Sequence, residues 1–244
     1  MEIAKKMVSD VLPKYFQEDA SNFEKKMGLF IMDDMVEFLG QELLGQIWPD
    51  ISKTLMTYVV HPACEIRQAA SYGLGEFIKH TNVDYNKYAE NILTTLYKGL
   101  EINSDGEKND EYQSAQDNVV TAIGKLIKHR GKEYTNLKQI IEKWLNNLPI
   151  KGDISESAGQ HDLLCDIVLQ SPDMIFGDNN SNLPKIIRII CKVYDSKYSN
   201  KEVDEKIKKI IEGIKQNNSL MAFIPSAKET ASKKVKARIE KYFS

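Results

Sequence analysis

An all-α fold is predicted by three features of the sequence. Apolar residues recur at helical spacing along most of the 244 residues, glycine and proline are sparse, and strict polar–apolar alternation is missing. With 42% hydrophobic and 28% charged residues the composition is that of a folded globular chain rather than a disordered one. The net charge of −2 lacks the basic excess of a general nucleic-acid binder, while leaving local charged surfaces open. No run of eighteen apolar residues occurs, and the opening Met1-Glu2-Ile3-Ala4-Lys5-Lys6 lacks the pattern of a secretory signal. Cys64, Cys165 and Cys191 are odd in number, far apart and set in apolar helical patterns. That arrangement predicts buried, reduced thiols rather than a disulfide framework.

One local pattern repeats. An apolar residue is followed by Gly or Asp, with further apolar residues three and four positions after the first. It occurs at Met32-Asp33, Leu74-Gly75, Ile123-Gly124 and Cys165-Asp166, at intervals of 42, 49 and 42 residues. Two helices per unit at about 40–47 residues is the spacing of HEAT and armadillo arrays. The longer middle interval carries a polar insertion at 103–110. The small residue has a physical reason: Gly in a helix interior costs about 1 kcal/mol relative to Ala, a cost tolerated where a neighbouring helix must approach closely.

Each landmark falls on the second helix of a hairpin. First helices are predicted at 3–16, 46–60, 85–101 and 137–148, and second helices at 22–39, 63–80, 111–129 and 155–170. A fifth hairpin follows at 183–194 and 201–215. A helix at 227–242, started by the capping-box pair Ser226 and Glu229, closes the stack. Pro13 and Pro49 lie in first helices, where a kink or shifted start is expected. Glu65-Ile66-Arg67-Gln68-Ala69-Ala70, with its acidic turn, Arg and paired Ala, carries the commonest local mark of HEAT units. No hairpin can bury its apolar face alone, so residues 1–244 are expected to form one α-α superhelical solenoid of about five hairpins and a capping helix. Ile3, Val8 and Leu12 would lie on a bare end face, from which a longer array is expected.

The stretches FIMDDMVEFLG (30–40), EIRQAASYGLG (65–75), NVVTAIGKLIK (118–128), WLNNLPI (144–150), HDLLCDIV (161–168) and DNNSNLPKIIRII (178–190) stand in a particular order. In that order and spacing they resemble the C-terminal HEAT repeats of karyopherin-β nuclear transport receptors, of the importin-beta-three type. The resemblance covers about Phe30 to Cys191; FIMDD and NNSNLPKI are its most specific pieces, and the sequence departs from it after about Asp195. It implies the C-terminal fragment of a monomeric import receptor that shuttles between cytoplasm and nucleus. It also implies cargo with basic localisation signals, Ran in its GTP form and FG-repeat nucleoporins as partners of the intact receptor, with no cofactor, no direct membrane contact and no nucleic acid. A HEAT scaffold subunit of another multiprotein complex would share the repeat but not those strings.

Second helices line the concave side of HEAT arrays. Taking the landmark as the buried face, positions two before, two after and five after it should point outward. These are Phe30, Asp34 and Glu37, then Tyr72, Glu76 and Lys79, then Thr121, Lys125 and Lys128, a strip running from acidic to basic. Asp34, Glu37 and Glu76 are candidates to meet basic cargo. Asp105, Glu107, Asp110 and Glu111 form a second, acidic candidate at the insertion. The last helix carries Lys228, Lys233, Lys234, Lys236, Arg238 and Lys241 against Glu229 and Glu240. Val235, Ile239 and Phe243 give it one packed face, so it reads as a cap, with a site for an acidic partner or nucleic acid as the alternative.

Enzymatic chemistry is not expected. His61, His80, His129 and His161 are scattered. His161 and Cys165 share one helix face and Asp162 and Asp166 another, too few ligands for zinc unless the fold adds more. Phosphate-binding glycine loops and nucleophile or zinc-protease motifs are missing from the sequence.

Overall fold

The computed structural model describes residues 6–39, 45, 47–81, 85–102 and 110–244, and among these it contains helices and turns and no strand. It divides into two compact units, Met1–Thr135 and Asn136–Ser244.

In the first unit a π-helical turn, Met7–Val11, leads into α1 (Leu12–Tyr15). Pro13 stands in the first turn of α1 and has no N–H to donate backward, which accounts for the irregular entry. α2 (Asn22–Phe38) starts at a capping box: Ser21 Oγ accepts from the Glu24 N–H at 3.3 Å and Glu24 Oε2 accepts from the Ser21 N–H at 2.7 Å. α3 (Trp48–Tyr58) has Pro49 in its first turn, so the expected start at Gln46, which lies outside the described residues, is shifted rather than kinked. α4 (Cys64–His80), α5 (Ala89–Glu101) and α6 (Asp110–Arg130) complete the unit. The first helices α3 and α5 pack on their partners α4 and α6, while α4 also packs on both α2 and α6. α4 is therefore the central helix of three stacked second helices.

Its position sets its composition. Ile66, Ala69, Ala70, Leu74, Phe77 and Ile78 are buried, and the Phe77 ring meets Trp48 edge-on with ring centroids 5.2 Å apart. Fully burying an apolar side chain of this size contributes about 1.5–3 kcal/mol. Arg67 is buried too. Its guanidinium donates to the carbonyls of His61 and Pro62 at 2.8 and 2.7 Å and reaches Cys64 Sγ at 3.3 Å. The arginine of the HEAT mark thus closes the turn between α3 and α4. Beyond α6, the Tyr134 hydroxyl donates to the Ala89 carbonyl at 2.8 Å and so accepts from the Tyr85 hydroxyl at 3.0 Å. This pair ties the segment after α6 to the start of α5.

Two glycines let α4 approach its neighbours. A Cβ on Gly75 would stand 3.0 Å from Lys125 Cδ and 3.5 Å from the Ala122 backbone of α6, the close approach expected of the landmark. A Cβ on Gly73 would fall 1.8 Å from Asp33 Oδ1 of α2 and 2.9 Å from Leu55 Cδ2 of α3. The four landmark residues Met32, Leu74, Ile123 and Cys165 are all buried.

The second unit holds α7 (Leu137–Asn146), α8 (Ile154–Gln170), α9 (Leu183–Val193), α10 (Lys201–Lys215), the short α11 (Asn218–Met221), α12 (Ile224–Glu229) and α13 (Lys233–Phe243). Trp144 Nε1 donates to Gln160 Oε1 at 3.1 Å between α7 and α8, and α8 packs on α10. Asp153 and Asn200 cap α8 and α10 through their side chains. The single last helix expected at 227–242 is instead two. Pro225 takes the first turn of α12, so Ser226 lies inside that helix and cannot cap it. Ser232 caps α13 by accepting from the Val235 N–H. Val235, Ile239 and Phe243 form the expected packed face, and α13 rests on α9, α10 and α12. Cys165 and Cys191 are buried, and burial pushes both thiols up to about 12; Cys64 is half-buried and, like them, reduced.

Packing at the α2–α4 crossing separates two glycine classes. Gly73→Ala should lower unfolding free energy by about 1–3 kcal/mol through overpacking. Gly213→Ala, in a helix position where a Cβ meets nothing within 4 Å, should raise it by about 0.5–1 kcal/mol. Urea denaturation of the two variants checks both signs.

Candidate protein-interaction surface

The expected outward strip divides into an exposed part and a buried part. On α2, Asp34 is exposed, Glu37 is half-buried and Phe30 is 42% exposed, with Lys26 Nζ 5.5 Å from the centre of its ring. Phe23 and Phe38, at 69% and 74%, lie along the same side of the helix by their spacing. On α4 Lys79 is exposed and Tyr72 half-buried, and on α6 Lys128 is exposed and Lys125 half-buried. Lys125 Nζ lies 4.9 Å from the centre of the Tyr72 ring.

Two expected strip residues are buried. Thr121 is 1% exposed. Glu76 is 3% exposed, and its carboxylate accepts from Lys125 Nζ at 2.7 Å and Lys79 Nζ at 3.1 Å, with His80 Nε2 also at 3.1 Å. Burial alone would raise the Glu76 carboxyl, but the Lys125 and Lys79 ammonium groups outweigh it and hold it below its ordinary value. Glu76 is thus a structural anchor between α4 and α6, not an acidic surface. The acidic part of the strip consists of Asp34 and Glu37, and Lys79 and Lys128 are the exposed cations of the strip on α4 and α6. Burial and then Lys128, Lys79 and Arg130 push His129, at the end of α6, below its usual range.

Sequence reasoning missed Asp33. It takes the small-residue place of the first landmark, where the next two copies have glycine, and that substitution was the available signal of a crowded position. The Asp33 carboxyl is 4% exposed, and neither oxygen has a hydrogen-bond partner among the described residues. Burial pushes it well above the ordinary carboxylate value, the charges of Asp34 and Glu76 push it further, and Lys125 opposes them. Ser71 and Thr121 also bury hydroxyls without a hydrogen-bond partner among the described residues.

Of the acidic-loop candidates, Asp105 and Glu107 lie outside the described residues. Asp110 and Glu111 are exposed in the first turn of α6, where acidic side chains complement the helix dipole. In the second unit, Asp162 and Asp166 both pair with Lys206 Nζ, at 2.6 and 2.8 Å. The His161 ring lies 2.8 Å, through Nδ1, from the Tyr198 carbonyl. The described residues contain no cluster of three or more groups suited to a metal, and no helix long and apolar enough to cross a membrane.

Comparison with known proteins fits this architecture. No family model matches the chain. It is 26% identical over 193 residues to a protein of Dictyostelium discoideum described as a probable importin-5 homolog. The match takes in 75% of this chain but only 17% of that protein's length. Among solved structures it is similar to a designed armadillo repeat protein, with a TM-score of 0.50, 16% identity, and coverage of 95% of this chain and 98% of the other. The fold is an armadillo- and HEAT-like helical repeat. Neither of these similar proteins is an enzyme.

The two buried carboxyls predict opposite pH behaviour. Asp33, raised in the folded state, favours folding at low pH and loses that advantage as pH climbs above its ordinary value. Glu76, lowered in the folded state, stabilises above its ordinary value and ceases to do so as pH falls through its folded one. The change in melting temperature caused by Asp33→Asn should therefore become more favourable from pH 4 to pH 7. Glu76→Gln should cost about 3 kcal/mol at pH 7 and progressively less toward pH 3. Melting curves across that range check both, and a pH-independent difference for either variant contradicts its assignment.

Proposed function

We propose that this chain is a segment of a nuclear import receptor of the karyopherin-β family, its two units consecutive blocks of one repeat array, and that it binds proteins through its second helices. The similarity to the probable importin-5 homolog over three-quarters of the chain carries this reading. The exposed face of α2 gives it a physical form. Asp34 and Glu37 offer charge to a basic localisation segment, and Phe30 offers an aromatic surface for aliphatic parts of lysine and arginine side chains. Lys79, Lys128 and Tyr72 then mark where a basic segment ends or an acidic one begins. In the intact receptor the partners are basic cargo, Ran in its GTP form and FG-repeat nucleoporins, the receptor acts as a monomer, and it moves between cytoplasm and nucleus.

Fluorescence anisotropy with a lysine-rich localisation peptide tests the surface. Asp34→Lys with Glu37→Lys should weaken binding by about tenfold or more and make its decline with salt shallower than in the wild type. Equal affinity of the two proteins would contradict an acidic cargo surface on α2. In the full-length receptor, capture of Ran that does not depend on its nucleotide would contradict the transport reading.

A further inference from the structure

The second unit contains a cleft that the proposed function does not use. Its volume is about 450 Å³, within the range of small-ligand sites, and two short segments line it. The end of α9 and the turn after it contribute Lys192, Asp195, Ser196, Lys197 and Tyr198; the start of α13 contributes Ser232, Lys234, Val235 and Arg238. Four of these side chains are cationic and one, Asp195, is a carboxylate.

The cations are held in place in different ways. Arg238 donates to the Lys192, Tyr194 and Asp195 carbonyls at 3.0, 2.6 and 3.2 Å, which pins the turn to α13. Lys192 is half-buried, and burial together with the side chain and charge of Lys151 pushes its ammonium down to about 8. Such crowding of like charges is relieved by an anion. Lys197 and Lys234 are exposed at the rim, Lys197 lying 5.2 Å from the centre of the Tyr198 ring. Ser232 Oγ accepts from the Val235 N–H, which leaves its own hydrogen available to a ligand. The backbone N–H groups of the first turn of α13 add the positive end of a helix dipole.

We propose that this cleft is a binding site for a phosphorylated peptide, with the phosphate monoester seated between Lys192, Lys234 and the Ser232 end of α13. The excess of positive over negative side chains fits the nearly doubly charged monoester. A carboxylate carries one charge, and a nucleic-acid diester carries one charge per phosphate along an extended backbone. Nucleic acid would call for a basic stripe, whereas these cationic residues line one cleft. The choice of a peptide as the carrier of the phosphate rests on the protein-binding reading; the anion site itself does not.

The test uses the whole chain at constant ionic strength. A fluorescein-labelled glycine–alanine peptide with one central phosphoserine is titrated beside its serine counterpart, with inorganic phosphate as competitor. The phosphopeptide should bind about tenfold or more tightly than the serine peptide and be displaced by phosphate. Lys192→Gln and Lys234→Gln should each weaken it about tenfold, while Lys208→Gln on the exposed face of α10 leaves it unchanged. Lys234 is exposed, so its variant reports binding rather than folding. Neither change should alter binding of the basic localisation peptide to α2, which separates failure of this site from failure of the proposed function. Equal binding of the two glycine–alanine peptides, no binding of either, or an equal loss in Lys208→Gln would overturn the proposal. So would a single-stranded RNA or a phosphoinositide vesicle binding through Lys192 and Lys234 where the phosphopeptide does not.

Discussion

The close packing of α4 between α2 and α6 is the constraint on which the first unit depends. At the α2 crossing there is no room for a side chain at Gly73, and at the α6 crossing a Cβ on Gly75 would press on Lys125, so glycine stands at both despite its cost within a helix. The same closeness encloses polar groups that would otherwise reach water. Glu76 is enclosed but answered by Lys125 and Lys79, whereas Asp33 is enclosed without a hydrogen-bond partner among the described residues. A neutral carboxyl at Asp33 is the arrangement least at odds with burial. The crossing therefore combines a packing gain, a satisfied ion pair and a titratable defect within a few residues.

This arrangement explains which parts of the site lie open. A helix with a neighbour on each side and a first helix beneath it leaves only a narrow arc to solvent. On α4 that arc holds the exposed Lys79 and parts of Cys64, Glu65, Gln68, Tyr72 and His80, and Glu76 falls outside it. α2 exposes more of its surface, and there Phe23, Phe30, Asp34 and Phe38 reach solvent. The acidic and aromatic character of the proposed surface is concentrated on α2 because on α4 Glu76 and Phe77 are buried and Glu65 and Tyr72 only partly exposed.

The hairpins themselves were legible in the sequence because apolar periodicity and landmark spacing report the faces that pack. Helix positions such as 201–215 follow directly from that pattern. Side-chain direction was less legible. Counting two residues before and two and five after a landmark assumes one buried face, and it misplaced Glu76 and Thr121 because their helices bury more than one. The first turn of α12 was misread because Pro225 overrides the capping pattern of Ser226 and Glu229. The cleft beside α13 brings together residues 192–198 and 232–238, which no local pattern joins. The lysines were visible in the sequence, but the turn pinned by Arg238 was not.

Native-state hydrogen exchange tests the central place of α4 most directly. Amides of Ala69 to Ile78 should be the slowest to exchange in the first unit, opening together with the facing amides of α6 between Val119 and Ile127. The outer helices α3 and α5 should exchange faster. Exchange of α4 that is faster than that of α3 and α5, or independent of α6, would contradict a unit organised around the stacked second helices.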